Sequence, residues 1–324
     1  MKIFLLISLL SLLGCSGQDV HTGSTILALN HSDNTITTSA LSKDGQFNIV
    51  VDSKAVCVWK NSQIEAPLHC LQGSDAEFIE LVEISENNQF YIISNQVSVR
   101  LYSLEKNQQI GEWQIADNII NDMDISANGS KVLLGFRTGR ASVIDVNSNT
   151  ITTFDKHHLD INSVSLSNDG TVAFTGSSDK KAMAWYTNTG VNIHEFSHGS
   201  RVNHVSISGD AKIGFTLDAI KDRIFWDLST GSQLSKLDTH LRFFEFNDSL
   251  FSSNNSLLLT GSPKQVIKLW RVTDGALLAE WQSTQTLGRA SVLSVAFVDQ
   301  NKIATSNSDG LFEQWLLPSI QASY

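Results

Sequence analysis

Apolar and polar residues alternate in short runs along most of the chain, and the pattern is cleanest in residues 157–185, HHLDINSVSLSNDGTVAFTGSSDKKAMAW. Two alternating runs, 163–167 and 172–175, flank Asn168-Asp169-Gly170, a tripeptide suited to a tight hairpin turn. A second turn at 178–181 leads to a third strand ending on Trp185, and Asn188-Thr189-Gly190 turns the chain into a fourth over 191–196. Period-2 alternation broken by turn residues predicts four short antiparallel strands joined as a meander.

The other segments are imperfect copies of this one. From Ile36 onward the third strand of each copy ends at Trp59, Tyr102, Ile144, Trp185, Trp226, Trp270 and Trp315, at intervals of 43, 42, 41, 41, 44 and 45 residues. The first turn keeps step, at Asp44-Gly45, Asn87-Asn88, Asn128-Gly129, Asp169-Gly170, Gly209-Asp210, Asn254-Asn255 and 299–301. Seven four-stranded units at this period predict an all-β fold, a seven-bladed β-propeller of antiparallel blades over residues 25–317. The seventh unit stops after its third strand, while TILALN, Thr25–Asn30, is an isolated strand ahead of the first unit. Pairing it beside Leu311–Leu316 closes the ring and hides two strand edges, leaving 318–324 as a short tail.

The fourth unit resembles the WD-repeat family through His157, Ile161, Val164, Leu166-Ser167, Asp169-Gly170, Thr175-Gly176-Ser177, Asp179 and Trp185. The resemblance implies that His157, Ser177, Asp179 and Trp185 form a buried hydrogen-bond chain inside their blade. Other units depart from it: Lys264 and Gly288 stand where blades six and seven would have the Asp and the His, and Trp226-Asp227 is the one literal Trp-Asp pair.

A content of 41% apolar and 17% charged residues suits a folded core. The formal charge of −10 argues against general nucleic-acid binding, which needs a basic footprint. The amino terminus, MKIFLLISLLSLLGCSG, carries one Lys and an apolar run from Ile3 to Leu13, too short to span a bilayer core of about 30 Å as a helix. It reads as an export signal, residues 1–14. Leu12-Leu13-Gly14-Cys15 resembles the bacterial lipobox, which implies acylation of Cys15 (palmitate or a similar chain), cleavage before it, and a membrane anchor for the lipoprotein. An ordinary secretory signal that happens to hold a cysteine is the alternative. Ser16, where inner-membrane lipoproteins commonly have Asp, points to the outer membrane of a Gram-negative cell, facing the periplasm. Residues 15–24 then form the lipidated tether, whose stretch from Ser16 to Ser24 reaches at most about 30 Å.

His157, Ser177 and Asp179 have the residue types of a hydrolase triad, but their spacing buries them within one blade, where a nucleophile has no substrate access. His157, His158 and Asp160 lack a further metal ligand at a fixed spacing. No phosphate-binding glycine loop or metalloprotease motif is present, so the expectation is no cofactor, no metal and no catalysis. Cys57 and Cys70 lie on the third and fourth strands of blade one. If Val58 faces His69 they face each other and can form a disulfide in an oxidising compartment; a register shift of one residue leaves two separate thiols.

Loops entering the blades and turns between second and third strands share one end of such a ring, here called the top. Arg137, Arg140, Lys180, Lys181, Arg201, Arg223 and Arg242 fall there, on an acidic protein. They mark a candidate surface for an acidic protein partner. The expected function is a non-catalytic, probably monomeric interaction scaffold held in the envelope by acyl chains. An outer-membrane assembly factor of propeller-lipoprotein type is an alternative within that class. A propeller hydrolase or lactonase is the alternative outside it, requiring a metal or carboxylate cluster in the channel; the first strands offer Glu83 and Asp124 as their main acids.

Overall fold

A computed structural model describes residues 20–63, 65–76, 78–116, 118–239, 245–285 and 290–318. Seven antiparallel sheets follow one another in chain order, each running from an innermost first strand to an outermost fourth. Blade four comprises Ile161–Leu166, Val172–Ser177, Lys181–Tyr186 and Asn192–Ser197. The molecule is an all-β, seven-bladed propeller.

The first turn of six blades is built by one local device. Ser42, Ser85, Ser126, Ser167, Ser208 and Ser252 each donate a hydroxyl hydrogen bond to the Asp or Asn two residues on, at 2.7–3.0 Å. Each hydroxyl also accepts the N–H five residues on, at 2.9–3.0 Å. The residue after that Asp or Asn sits in the left-handed region: Gly45, Gly129 and Gly170 at φ of 66–72°, and Asn88, Ala211 and Asn255 at 57–60°. Glycine and asparagine tolerate that conformation, which is why Asp-Gly and Asn-Gly pairs are legible as turns.

The apolar core lies between blades rather than within them. Successive clusters join blades one and two, two and three, and so on to six and seven. Each blade therefore buries both faces against neighbours, and its third-strand aromatic sits deep in one such layer: Trp185 and Trp270 are fully buried, and Trp315 nearly so.

The ring closes as the chain pattern requires. Thr25–Asn30 pairs antiparallel with Leu311–Leu316, from Thr25 opposite Trp315 to Asn30 opposite Leu311. The seam between blades seven and one is the weakest apolar layer, split into two small clusters. His31 fills it, stacked on Trp59 at 4.6 Å and on Phe312 at 5.8 Å between ring centroids. Its N–H donates to Gly310 O at 2.8 Å, and Asn48 Nδ2 lies 3.0 Å from its Nδ1. One expectation changes at this end of the chain. Part of the presumed tether, His21–Thr22, is a short parallel strand against Leu277–Gln282, giving blade six a fifth strand.

Cys57 and Cys70 face each other in the ladder, and their sulfurs are bonded at 2.04 Å. The Val58–His69 register decides between the two alternatives in favour of the bridge.

Two stability measurements follow. Replacing both cysteines by serine removes a cross-link between positions 13 apart and lowers unfolding free energy by up to about 3 kcal/mol in the chain-entropy description; denaturant titration with and without reductant checks it. Burial lowers the His31 imidazole from its ordinary value to about 4, so the folded seam holds it neutral. Its contribution is present above about pH 6.5 and is lost as pH falls through 4, because the unfolded chain takes up the proton first. His31→Phe keeps the stack and flattens the decline between pH 6.5 and 4 by about 3 kcal/mol; parallel urea-midpoint curves for both proteins would refute it.

Candidate functional site

Blade four carries the hydrogen-bond chain in a form the sequence pattern did not give. His157, on the loop entering the blade, places Nδ1 at 3.1 Å from the Asp179 carboxylate and Nε2 at 2.8 Å from Thr175 Oγ1. Ser177 is not in this chain: its hydroxyl donates to Leu159 O at 3.0 Å and accepts the Asp179 N–H at 3.1 Å. Thr175 and Ser177 point to the same sheet face, but Thr175 lies one pleat deeper, level with the imidazole. The indole N–H of Trp185 does not join either. In blades five, six and seven Trp226, Trp270 and Trp315 do donate, to Thr216, Thr260 and Thr305 at 2.8, 3.1 and 3.3 Å, each ten residues earlier. In blade four the Thr175 hydroxyl is turned to the histidine instead.

Burial holds the His157 imidazole below its ordinary value, with Asp179 pulling the other way. Burial also raises the Asp179 carboxyl, but the His157 ring and the N–H groups of His158 and Lys181 outweigh it and leave it below the ordinary carboxylate value. Both imidazole nitrogens are committed and the ring is buried, so the group offers neither a nucleophile's base nor a metal ligand with the exposed His158.

The first strands of all seven blades line a central channel of about 430 Å³. Its wall is polar, and its polar side chains bind blade to blade. Asp122 and Asp124 accept N–H bonds from Val164 and Leu166 of the next blade, both at 2.7 Å. Ser163 and Ser165 repeat the pattern toward Val205 and Ile207 at 3.2 Å, and Asp248 and Ser294 toward Val295 and Leu41 at 2.8 and 2.9 Å. Asn121, Asn162 and Asn247 each donate across the same seams, to Ile161 O, Val202 O and Val292 O at 2.8–2.9 Å.

The channel thus holds Asp122 and Asp248 besides Glu83 and Asp124. The alternating pattern missed Asp122, which begins a strand, and Asp248, whose strand Asp248–Phe251 alternates poorly. Burial raises all four carboxyls, Asp122 to about 7 and Asp248 to about 6, with backbone N–H bonds opposing it in the three aspartates. Glu83 is raised further, by burial and then by Asp124, Asp248 and Asp122. At the bottom, Lys43 Nζ closes the mouth, bonding Glu86 of blade two at 3.0 Å and Asn168 of blade four at 3.1 Å. The three aspartates act as interblade clamps, and among the described residues the channel acids form no three-ligand metal group.

The top face separates the seven basic candidates. Arg137 and Arg201 are exposed, their Nε atoms resting on the Asn121 and Asn203 side-chain oxygens at 2.9 and 3.1 Å, and Lys180 is exposed on a left-handed turn residue, φ 71°. Arg140 instead pairs with Asp155 at 3.1 Å and Lys181 with Glu195 at 2.6 Å, both across to the outer strand. Arg223 is 3% exposed near Asp218 and Asp222 and is no part of the surface. Arg242 and Cys15 lie outside the described residues. Composition gave no hint of four apolar side chains on the same face: Phe78 (81% exposed), Leu159 (53%), Val97 (50%) and Ile220 (42%). Phe78 also holds φ 58°, a conformation that costs a bulky residue on the order of 1–3 kcal/mol.

Residues 148–185 match the family model for the WD domain, G-beta repeat, which covers the outer strand of blade three and the first three strands of blade four. No curated protein matches the chain. The sevenfold ring and this one matched unit together support a WD40-type β-propeller.

The internal chain of blade four has a direct test. Double-mutant cycles of His157→Ala with Thr175→Val should give a coupling of about 1–2 kcal/mol, and with Ser177→Ala a coupling near zero. Equal couplings would restore the serine to the chain.

Proposed function

We propose that this protein is a non-catalytic interaction platform whose top face docks an acidic protein partner, held in the bacterial envelope by acyl chains on Cys15. The observation that carries the reading is Phe78, a bulky aromatic kept exposed on strained backbone, on the same face as Leu159, Val97, Ile220 and the exposed Arg137, Lys180 and Arg201. Apolar anchors with arginine beside them are the composition of an interface core. Rigid rings that hold loops still are suited to this use.

The anchor reading rests on the lipobox-like Leu12-Leu13-Gly14-Cys15. The Cys57–Cys70 disulfide supports an oxidising compartment such as the periplasm. A role among outer-membrane assembly factors is a narrower form of the same proposal. The hydrolase alternative loses its main support because Asp122, Asp124 and Asp248 are occupied by backbone N–H groups across the blade seams.

The test is capture from crosslinked envelopes. Arg137→Glu, Lys180→Glu and Arg201→Glu combined should lower recovery of the partner at least tenfold while leaving thermal stability unchanged, since surface charges away from partners seldom shift stability beyond about 0.5 kcal/mol. A Cys15→Ser form with a cleavable leader should lose capture of a membrane-bound partner but keep binding to the purified one. Undiminished capture by the triple variant would end the top-face assignment.

A further inference from the structure

Blade five departs from blade four at the matching positions. His198 corresponds to His157 at a spacing of 41 residues, Thr216 to Thr175, Asp218 to Ser177 and Trp226 to Trp185. The Thr216 hydroxyl is taken by the Trp226 indole at 2.8 Å, so the histidine has no threonine partner. The turn between the second and third strands is two residues longer, which carries Asp222 to the place of Asp179, and the serine has become a second carboxylate.

The result is a cluster of one imidazole and two carboxylates whose ligand atoms all lie within 4.8 Å of one another. His198 is 9% exposed and neither ring nitrogen has a hydrogen-bond partner. Asp218 is 1% exposed; its Oδ1 is fixed by the N–H groups of Ile220, Lys221 and Asp222 at 2.7–3.0 Å, while its Oδ2 has no partner. Three lone-pair atoms, two of them on nearly inaccessible side chains, converge with nothing to satisfy them, and buried polar atoms are rarely left so.

We propose that His198, Asp218 and Asp222 bind a divalent transition-metal ion of the zinc type, with a water in the fourth position. Imidazole and carboxylate donors suit Zn²⁺ at about 2.0–2.2 Å, and the outermost pair of ligand atoms needs to close by roughly 1 Å to meet that geometry. Asp222, on the turn with its side chain 20% exposed, is the ligand free to move. The ion ties the loop entering blade five to the following turn, the task that the His157–Asp179 hydrogen bond performs in blade four.

Two cations flank the site and set its affinity. Lys236 Nζ lies 3.6 Å from Asp222 Oδ1 with its side chain half exposed, and Arg223 lies close to both carboxylates. An arriving ion displaces the lysine to solvent and takes over as the counter-charge of Asp222. Lys236→Gln therefore tightens binding, a consequence that a water-filled site does not share.

The experiment is calorimetric titration of the mature chain with ZnSO₄, followed by thermal melts with and without the ion. One equivalent should bind and raise the melting temperature. Asp222→Asn, on the surface turn, should weaken binding at least tenfold, and Lys236→Gln should strengthen it severalfold; His198→Gln repeats the loss from the buried side. His158→Gln, an exposed histidine of blade four, should change nothing. Absence of a stoichiometric site, or a site indifferent to Asp222→Asn, means that water fills the cluster and overturns the proposal. Neither result bears on the top-face docking assignment, which uses other residues.

Discussion

Every blade of this ring needs a neighbour on each face, because its apolar side chains lie between sheets and not inside them. A single four-stranded meander cannot bury both of its faces, so the molecule depends on the ring being closed. Six of the seven seams are joined by large apolar layers within a continuous chain. The seventh must be made from the two ends. Thr25–Asn30 supplies the missing outer strand of blade seven, and His31, directly after it, fills the gap that a smaller apolar layer leaves. One hexapeptide and one histidine thus turn a chain of repeats into a closed body.

The polar inner wall follows from the same geometry. First strands converge at the axis, where there is no room for an apolar layer and where N–H groups of one strand face side chains of the next. Aspartate, serine and asparagine at repeating positions answer those N–H and C=O groups. The cost is a set of buried acids with raised pKa values, and the gain is a wall in which blades are registered to one another at intervals of about one repeat. A channel used in this way is scaffold, and it leaves the loop-bearing top as the face on which binding chemistry is displayed.

Much of the fold was legible because its signals are local. The Asp-Gly and Asn-Asn turns, the third-strand aromatics and the orphan strand at Thr25–Asn30 each declare themselves within a few residues, and their spacing counts the blades. The Cys57–Cys70 pairing was a matter of register, which only the ladder decides. The site was less legible because its partners come from elsewhere. Thr175 and Ser177 share a face and a hydroxyl, and depth within the blade chooses between them. Arg140, Lys181 and Arg223 look like free cations in the sequence, yet outer-strand and turn acids of their own blades engage them. Phe78 reads as one more apolar residue near a strand until its exposure and its backbone set it apart.

The central claim is that this ring works through one face. A photoreactive residue placed singly at Phe78 or Leu159 on the top, and at Ile110 or Val191 on the opposite face, tests it in living cells without any assumption about the partner's identity. A top-face platform gives a discrete crosslinked adduct from the first two positions and none from the second two. Adducts of equal strength from both faces, or from Ile110 and Val191 alone, would contradict it.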